Sequence, residues 1–208
     1  MAYDLEEQEQ LDEVKAWWKA HGNRVIGLAT AALAAFAAFQ GWNYYQHKQS
    51  VEASAQYETL SRMDAKDIKG IRSLSGQMIE KYAGTTYAAR AALLAAKANY
   101  AANDAKSAQS QLEWVMSHAK EATLRTIAQL QLAAIQFDEK QYDAALKTLA
   151  EKHEAGFDGL FADLRGDVLA AQGKKSEAKA AYTEALAKLD SDGRYRRYTE
   201  HKLDALGS

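Results

Sequence analysis

From Val25 to Gln46 the chain carries no Asp, Glu, Lys or Arg, while charged residues recur every few positions on either side. As an α-helix this run rises about 33 Å at roughly 1.5 Å per residue, which matches a hydrocarbon core roughly 30 Å thick. The pattern predicts a membrane-spanning helix over 25–46. Trp17 and Trp18 precede the run, and Trp42, Tyr44 and Tyr45 close it. Amphipathic rings at both headgroup levels are the expected interface anchors of a spanning helix. Lys15, Lys19 and Arg24 lie within ten positions on the N-terminal side, against Lys48 and Arg62 within sixteen positions of the other end. The positive-inside bias therefore points to a cytoplasmic N-terminus. Two other readings stay open on this pattern. Ala35-Phe36-Ala37 has the form of a signal-peptide cleavage site, although the preceding tail is long and acidic. The run is also rich in alanine, so a buried helix of an all-α protein has a similar pattern. Gly27, Ala31 and Ala35 recur every fourth residue and form a small stripe that would let another helix approach closely.

Before the run, residues 1–24 form an acidic lead-in. Leu11, Val14, Trp17 and Trp18 fall on one helical face and predict a short amphipathic helix at the membrane interface. Gly22 and Asn23 predict a break ahead of the span.

From residue 47 to 208 the periodicity is helical throughout and strand-like alternation is absent. Small residues recur in pairs: Ala96 with Ala108, Ala133 with Ala145, Gly166 with Ala178. Each pair is separated by twelve positions, and successive pairs by 37 and 33. Antiparallel helices pack closely only where small residues face each other, so the pairs predict stacked helical hairpins. The third unit fits the tetratricopeptide consensus best, with Gly166, Leu169, Gly173 at its turn, Ala178, Tyr182 and Ala185. In the second unit Lys152 stands where a late alanine is usual, and the first has Asn103-Asp104 as its turn. A further hairpin is predicted over Ser50–Lys66 and Ile68–Tyr82. Thr85 or Thr86 is available to cap the helix that follows. Gly156 to Gly159 reads as a loop into a helix at Phe161–Ala171, and Arg194–Leu206 as a capping helix. The fold class is all-α: a single N-terminal transmembrane helix followed by a tetratricopeptide-like antiparallel helix-hairpin solenoid.

The chain has no cysteine and no proline, which excludes disulfides and thiolate chemistry and leaves long helices uninterrupted. A net charge of −2 offers no global field for nucleic acid. The five histidines form no ligand set; the nearest approach is His153-Glu154, at a helix end where His also suits the dipole. No glycine cluster fits a phosphate loop, and no serine lies in a nucleophile elbow. Arg194, Arg196, Arg197 and Lys202 are interleaved with Tyr195 and Tyr198, a pattern that reads more readily as a solvated helix face than as a nucleic-acid surface. The expectation is a protein that is not an enzyme, with no cofactor, no metal, no small-molecule substrate and no nucleic-acid partner.

Several runs together resemble a known family. They are Leu11-Asp12-Glu13-Val14-Lys15-Ala16-Trp17-Trp18, the span exit Gly41-Trp42-Asn43-Tyr44-Tyr45, and Ala162-Asp163-Leu164-Arg165-Gly166-Asp167-Val168-Leu169 followed by Gly173-Lys174. In order and content they resemble the YfgM family, the ancillary subunit of the bacterial Sec translocon. The resemblance implies a single-pass inner-membrane protein with its N-terminus in the cytoplasm and a periplasmic tetratricopeptide-like domain. It also implies association with the Sec translocon and with a membrane-anchored periplasmic chaperone of the PpiD type. It carries no catalytic residues. The expected role is an adaptor that contacts chaperones and emerging proteins; the alternative is a scaffold bridging envelope-assembly or division proteins. Tyr100, Gln136 and Leu169, read as equivalent inner-helix positions just past each small residue, are the candidates for the partner-binding face.

Overall fold

The computed structural model describes residues 2–191 and 193–207, with side chains from Glu9 onward. These residues divide into two compact units, Met1–Lys48 and Gln49–Ser208. Helix α1 covers Ala2–Ser61, and its first part makes up the N-terminal unit. The break expected at Gly22-Asn23 is absent: the helix continues through both residues. Gly22 has a packing role, because a Cβ there would meet the Trp18 indole at 3.1 Å. By length and composition, the described part of α1 is apolar enough to cross a membrane. Leu28, Leu33, Phe36 and Phe39 are each at least 60% exposed, a surface that water would not tolerate as a continuous stripe.

The second unit contains the last turns of α1 and eight further helices among its described residues. These are α2 (Ile68–Tyr82), α3 (Thr86–Ala101), α4 (Ala105–His118), α5 (Ala122–Asp138), α6 (Tyr142–Ala150), α7 (Asp158–Ala171), α8 (Lys175–Lys188) and α9 (Arg194–Gly207). The first hairpin closes earlier than Lys66, since α1 ends at Ser61 and Asp67 caps α2 through Gly70 N–H at 2.9 Å. Ala53 and Leu60 of α1 pack with Ile71, Met78 and Tyr82 of α2 and with the alanines of α3. Leu60, Ile71 and Met78 are fully buried, each worth roughly 1.5–3 kcal/mol of transfer free energy. Thr85 is the N-cap of α3 and accepts from Ala88 N–H.

The next three hairpins, α3–α4, α5–α6 and α7–α8, bring the paired small residues together. Ala96, Ala108, Ala133, Ala145, Gly166 and Ala178 are all buried. At Gly166 the approach is closest, because a Cβ there would overlap the Tyr182 ring. Each hairpin turns through one residue at positive φ: Asn103 and Lys140 at 60°, Gly173 at 76°. The following N–H reaches back five residues in every case: Asp104 to Asn99 O (2.9 Å), Gln141 to Gln136 O (2.8 Å), Lys174 to Leu169 O (2.9 Å). This is the Schellman closure, for which glycine is the least strained residue. Helix α6 stops at Ala150, so Lys152 lies beyond it and no late small residue is required there.

The loop expected over Gly156–Gly159 is shorter. A 3-10 turn covers Ala155–Phe157 and α7 starts at Asp158. Gly159 is helical and buried, and a Cβ there would meet Leu189 at 2.8 Å. The capping helix α9 packs on α8 and is clasped to α7 by a polar network. Lys202 Nζ lies 2.7 Å from both Asp163 Oδ2 and Asp167 Oδ2. Thr199 Oγ1 donates to Asp163 Oδ1 at 2.7 Å, and Tyr182 OH donates to Asp167 Oδ1 at 2.8 Å. A half-buried charge set of this kind specifies register more than it adds stability.

Burial opposes the Lys202 charge, but the hydrogen bonds and charges of Asp163 and Asp167 outweigh it and hold its pKa above the ordinary lysine range. Burial, with the Asp167 hydrogen bond second, pushes the Tyr182 hydroxyl far above the usual tyrosine range. Burial also raises the Asp167 carboxyl, against the pull of Lys202. Lys202 and Tyr182 both hold their protons more tightly folded than unfolded. Their contributions are complete below about pH 10 and are lost as pH rises above it.

Two outcomes follow for the full-length protein in detergent. Gly166→Ala should destabilise the repeat unit by roughly 1–3 kcal/mol, read as a lower denaturant midpoint; an unchanged midpoint would mean the Tyr182 ring is free to move away. The thermal midpoint should fall between about pH 9 and 11, less steeply in Tyr182→Phe than in the parent; parallel profiles would remove Tyr182 from the alkaline transition.

Candidate functional site

The first helix of each hairpin packs against the first helix of the next. α5 neighbours both α3 and α7, and the Lys202 clasp brings α9 alongside α7. Between α3 and α5 this inner row opens into a groove of about 220 Å³. Ala96 and Leu112 lie at its floor, Ala134 and Ile135 form one wall, and Lys97 and Asp138 stand at its rim. Sites for whole small ligands measure roughly 300–1,000 Å³. The groove therefore suits one or two side chains of a polypeptide.

Tyr100 lines this groove, and its hydroxyl donates to Asp138 Oδ2 at 2.8 Å. That hydrogen bond, helped by partial burial and the Asp138 charge, raises the tyrosine pKa above its ordinary value. The ring is thus held as a fixed, neutral wall across α3 and α5. Gln136 and Leu169 are placed differently. Gln136 is buried and accepts from Thr148 Oγ1 at 2.8 Å, which ties α5 to α6. Leu169 is buried with Ala178, Ala181 and Tyr182 in the last core cluster.

The difference has a register cause. Gln136 and Leu169 stand three residues after Ala133 and Gly166, whereas Tyr100 stands four after Ala96. The structural equivalent in the α3–α4 hairpin is Asn99, whose carbonyl closes the same Schellman turn. Asn99 is buried, bonds Gln111 at 3.2 Å and accepts from Arg72. The position three past each small residue therefore faces the partner helix, whereas Tyr100, one position further on, faces the groove. The twelve-residue spacing of Asn99–Gln111 and Gln136–Thr148 repeats that of the small pairs and was the available signal.

In the N-terminal unit, Trp17, Trp18, Trp42, Tyr44 and Tyr45 are all more than half exposed. Trp17 packs beside Trp18 with centroids 6.4 Å apart, and Trp42 beside Tyr45 at 6.1 Å. His21 stacks on Trp17 at 5.3 Å. The rise from Trp18 to Trp42 is about 36 Å at 1.5 Å per residue, the thickness of a hydrocarbon core with part of each headgroup layer.

His153 stacks on Phe161 at 3.7 Å, with Nε2 3.2 Å from Asp158 Oδ1. Glu154 N–H donates to Thr126 Oγ1, so this pair secures the α6–α7 connection. Among the described residues no cluster of three or more His, Asp or Glu could hold a metal ion.

Comparison with known proteins places this architecture. The model of a tetratricopeptide repeat-like domain matches residues 15–208. An ancillary SecYEG translocon subunit of Neisseria gonorrhoeae is 32% identical over 99% of this chain and 100% of its own length. Proteins of the same description are 31% identical in Haemophilus influenzae, over 89% of this chain and 91% of theirs, and 31% in Escherichia coli, over 96% of both. No solved structure matches the chain. With a relative this similar over the full length of both chains and a repeat-domain match from residue 15 to the end, the chain belongs to the family of ancillary SecYEG translocon subunits, tetratricopeptide repeat-like proteins with a single apolar N-terminal helix.

Proposed function

We propose that the chain is a membrane-anchored, non-enzymatic adaptor at the Sec translocon. In this reading residues 1–24 lie in the cytoplasm, Val25–Gln46 crosses the inner membrane, and residues 47–208 form a periplasmic domain. The observation that carries it is the near-complete alignment with relatives described as ancillary SecYEG translocon subunits. The lysines and arginine before the span support the orientation through the positive-inside bias. Trp17 and Trp18 anchor one headgroup layer, and Trp42, Tyr44 and Tyr45 the other, while lipid covers the exposed leucines and phenylalanines between them.

The groove beside Tyr100 is the contact surface of this adaptor. Its apolar floor accepts a side chain of a partner segment, and Lys97 and Asp138 offer one charge of each sign at the rim. The partners are the channel itself, a periplasmic chaperone of the PpiD type and proteins emerging from the channel. A solenoid of hairpins suits this task because it displays an extended surface on a rigid backbone.

Two experiments test the reading. A photo-crosslinking residue at Tyr100 in the native membrane should capture a Sec channel subunit or a periplasmic chaperone, and one at buried Ala145 should capture neither. Capture of neither from Tyr100 would defeat the adaptor reading. Protease added outside spheroplasts should digest the chain beyond Lys48 and spare residues 1–24. Protection of the repeat unit would reverse the topology.

A further inference from the structure

The cations of α9 fall into two sets. Lys202 is bound to Asp163 and Asp167, and Arg196 to Glu200 and to the Leu186 carbonyl, so these two hold the helix in place. Arg194 and Arg197 are exposed, and among the described residues neither takes part in an ion pair. They sit in the first turn of α9, where the helix dipole disfavours positive charge. Helix stability therefore does not account for them.

Next to them in the chain stand Tyr195 and Tyr198, large rings 61% and 59% exposed. Together with His201, Ala205 and Asp163 of α7 they border a recess of about 480 Å³ with a mainly apolar lining. The one carboxylate in that lining, Asp163, is already neutralised by Lys202 and hydrogen-bonded by Thr199. Arg194 and Arg197 stand next to Tyr195 and Tyr198 in the chain, outside that lining, so the recess is an apolar seat with two exposed cations beside it.

We infer that the groove between α7 and α9 docks an acidic polypeptide segment that carries an apolar side chain. Charge complementarity selects the acidic character: carboxylates of the segment pair with Arg194 and Arg197. A polypeptide suits this face better than a bilayer surface, because the exposed large apolar side chains of α9 are confined to Tyr195 and Tyr198, a patch that takes one inserted side chain, while an interfacial helix lays a continuous apolar face into the membrane. Tyr195 and Tyr198 supply rigid contact area of the kind that concentrates binding energy at interfaces. This surface is separate from the groove beside Tyr100, which has one rim charge of each sign.

The test uses the full-length protein in neutral detergent, with no translocon present, so its outcome is independent of the adaptor reading. Fluorescence anisotropy would follow a labelled peptide of glutamates around one central leucine, beside peptides with lysine for glutamate and alanine for leucine. The acidic leucine peptide should bind, and each of the other two at least tenfold more weakly. The double variant R194E/R197E should lose at least tenfold in affinity, as should Tyr198→Ala. Raising salt from about 50 to 300 mM should weaken the parent complex but not the double variant, whose new glutamates repel the peptide until salt screens them. Equal affinity for the lysine peptide, or parent-like binding by both α9 variants, would overturn the inference. So would absence of peptide binding together with arginine-dependent attachment to phosphatidylglycerol vesicles in preference to phosphatidylcholine ones, which would assign the face to a membrane surface.

Discussion

The repeat unit rests on one constraint: two antiparallel helices must come so close that one point on each leaves room only for a small residue. Ala96 with Ala108, Ala133 with Ala145 and Gly166 with Ala178 meet that constraint, and each of the six is buried. Around these points the larger side chains fill the space, Leu112 and Val115 in one hairpin, Leu149 in the next with Phe161 of α7 against it, and Tyr182 in the last. The distance between hairpins then decides where the first helices sit side by side, and so where the surface grooves open. A larger residue at one of the six points would disturb both the local core and the spacing of the inner row.

The same constraint explains which features could be read from the residues. The small pairs stand out because packing leaves few substitutes for Ala or Gly at a backbone contact. Gly173 was legible as a turn for a similar reason. Lys140 was not, since a lysine at positive φ carries no mark in the sequence, and its strain of roughly 1–2 kcal/mol is absorbed by the Schellman closure. Gly22 and Gly159 misled in the opposite direction. Both are helical, and each is small because a neighbour, Trp18 or Leu189, lies against its backbone. A glycine read alone does not distinguish a turn from a close approach.

The three residues expected on a partner-binding face part ways in the structure. Tyr100 lies on the groove, while Gln136 and Leu169 are used in packing, and the mismatch of one position separates the two roles. Along an α-helix one residue is a rotation of about 100°, enough to turn a side chain from solvent into the partner helix. The Ala162–Leu169 run, the most distinctive part of the family resemblance, owes its character to two tasks. Gly166 admits the Tyr182 ring, and Asp163 and Asp167 clasp Lys202 of the capping helix. The recess between α7 and α9 exists because that clasp sets α9 beside α7.

The central claim is that this chain is a membrane-anchored adaptor at the Sec channel. It is tested most directly by reconstituting labelled full-length protein with purified SecYEG in nanodiscs and measuring energy transfer between them. The account predicts saturable transfer that an unlabelled copy of the chain competes away. Transfer no greater than that of an unrelated single-span protein at the same density would contradict it.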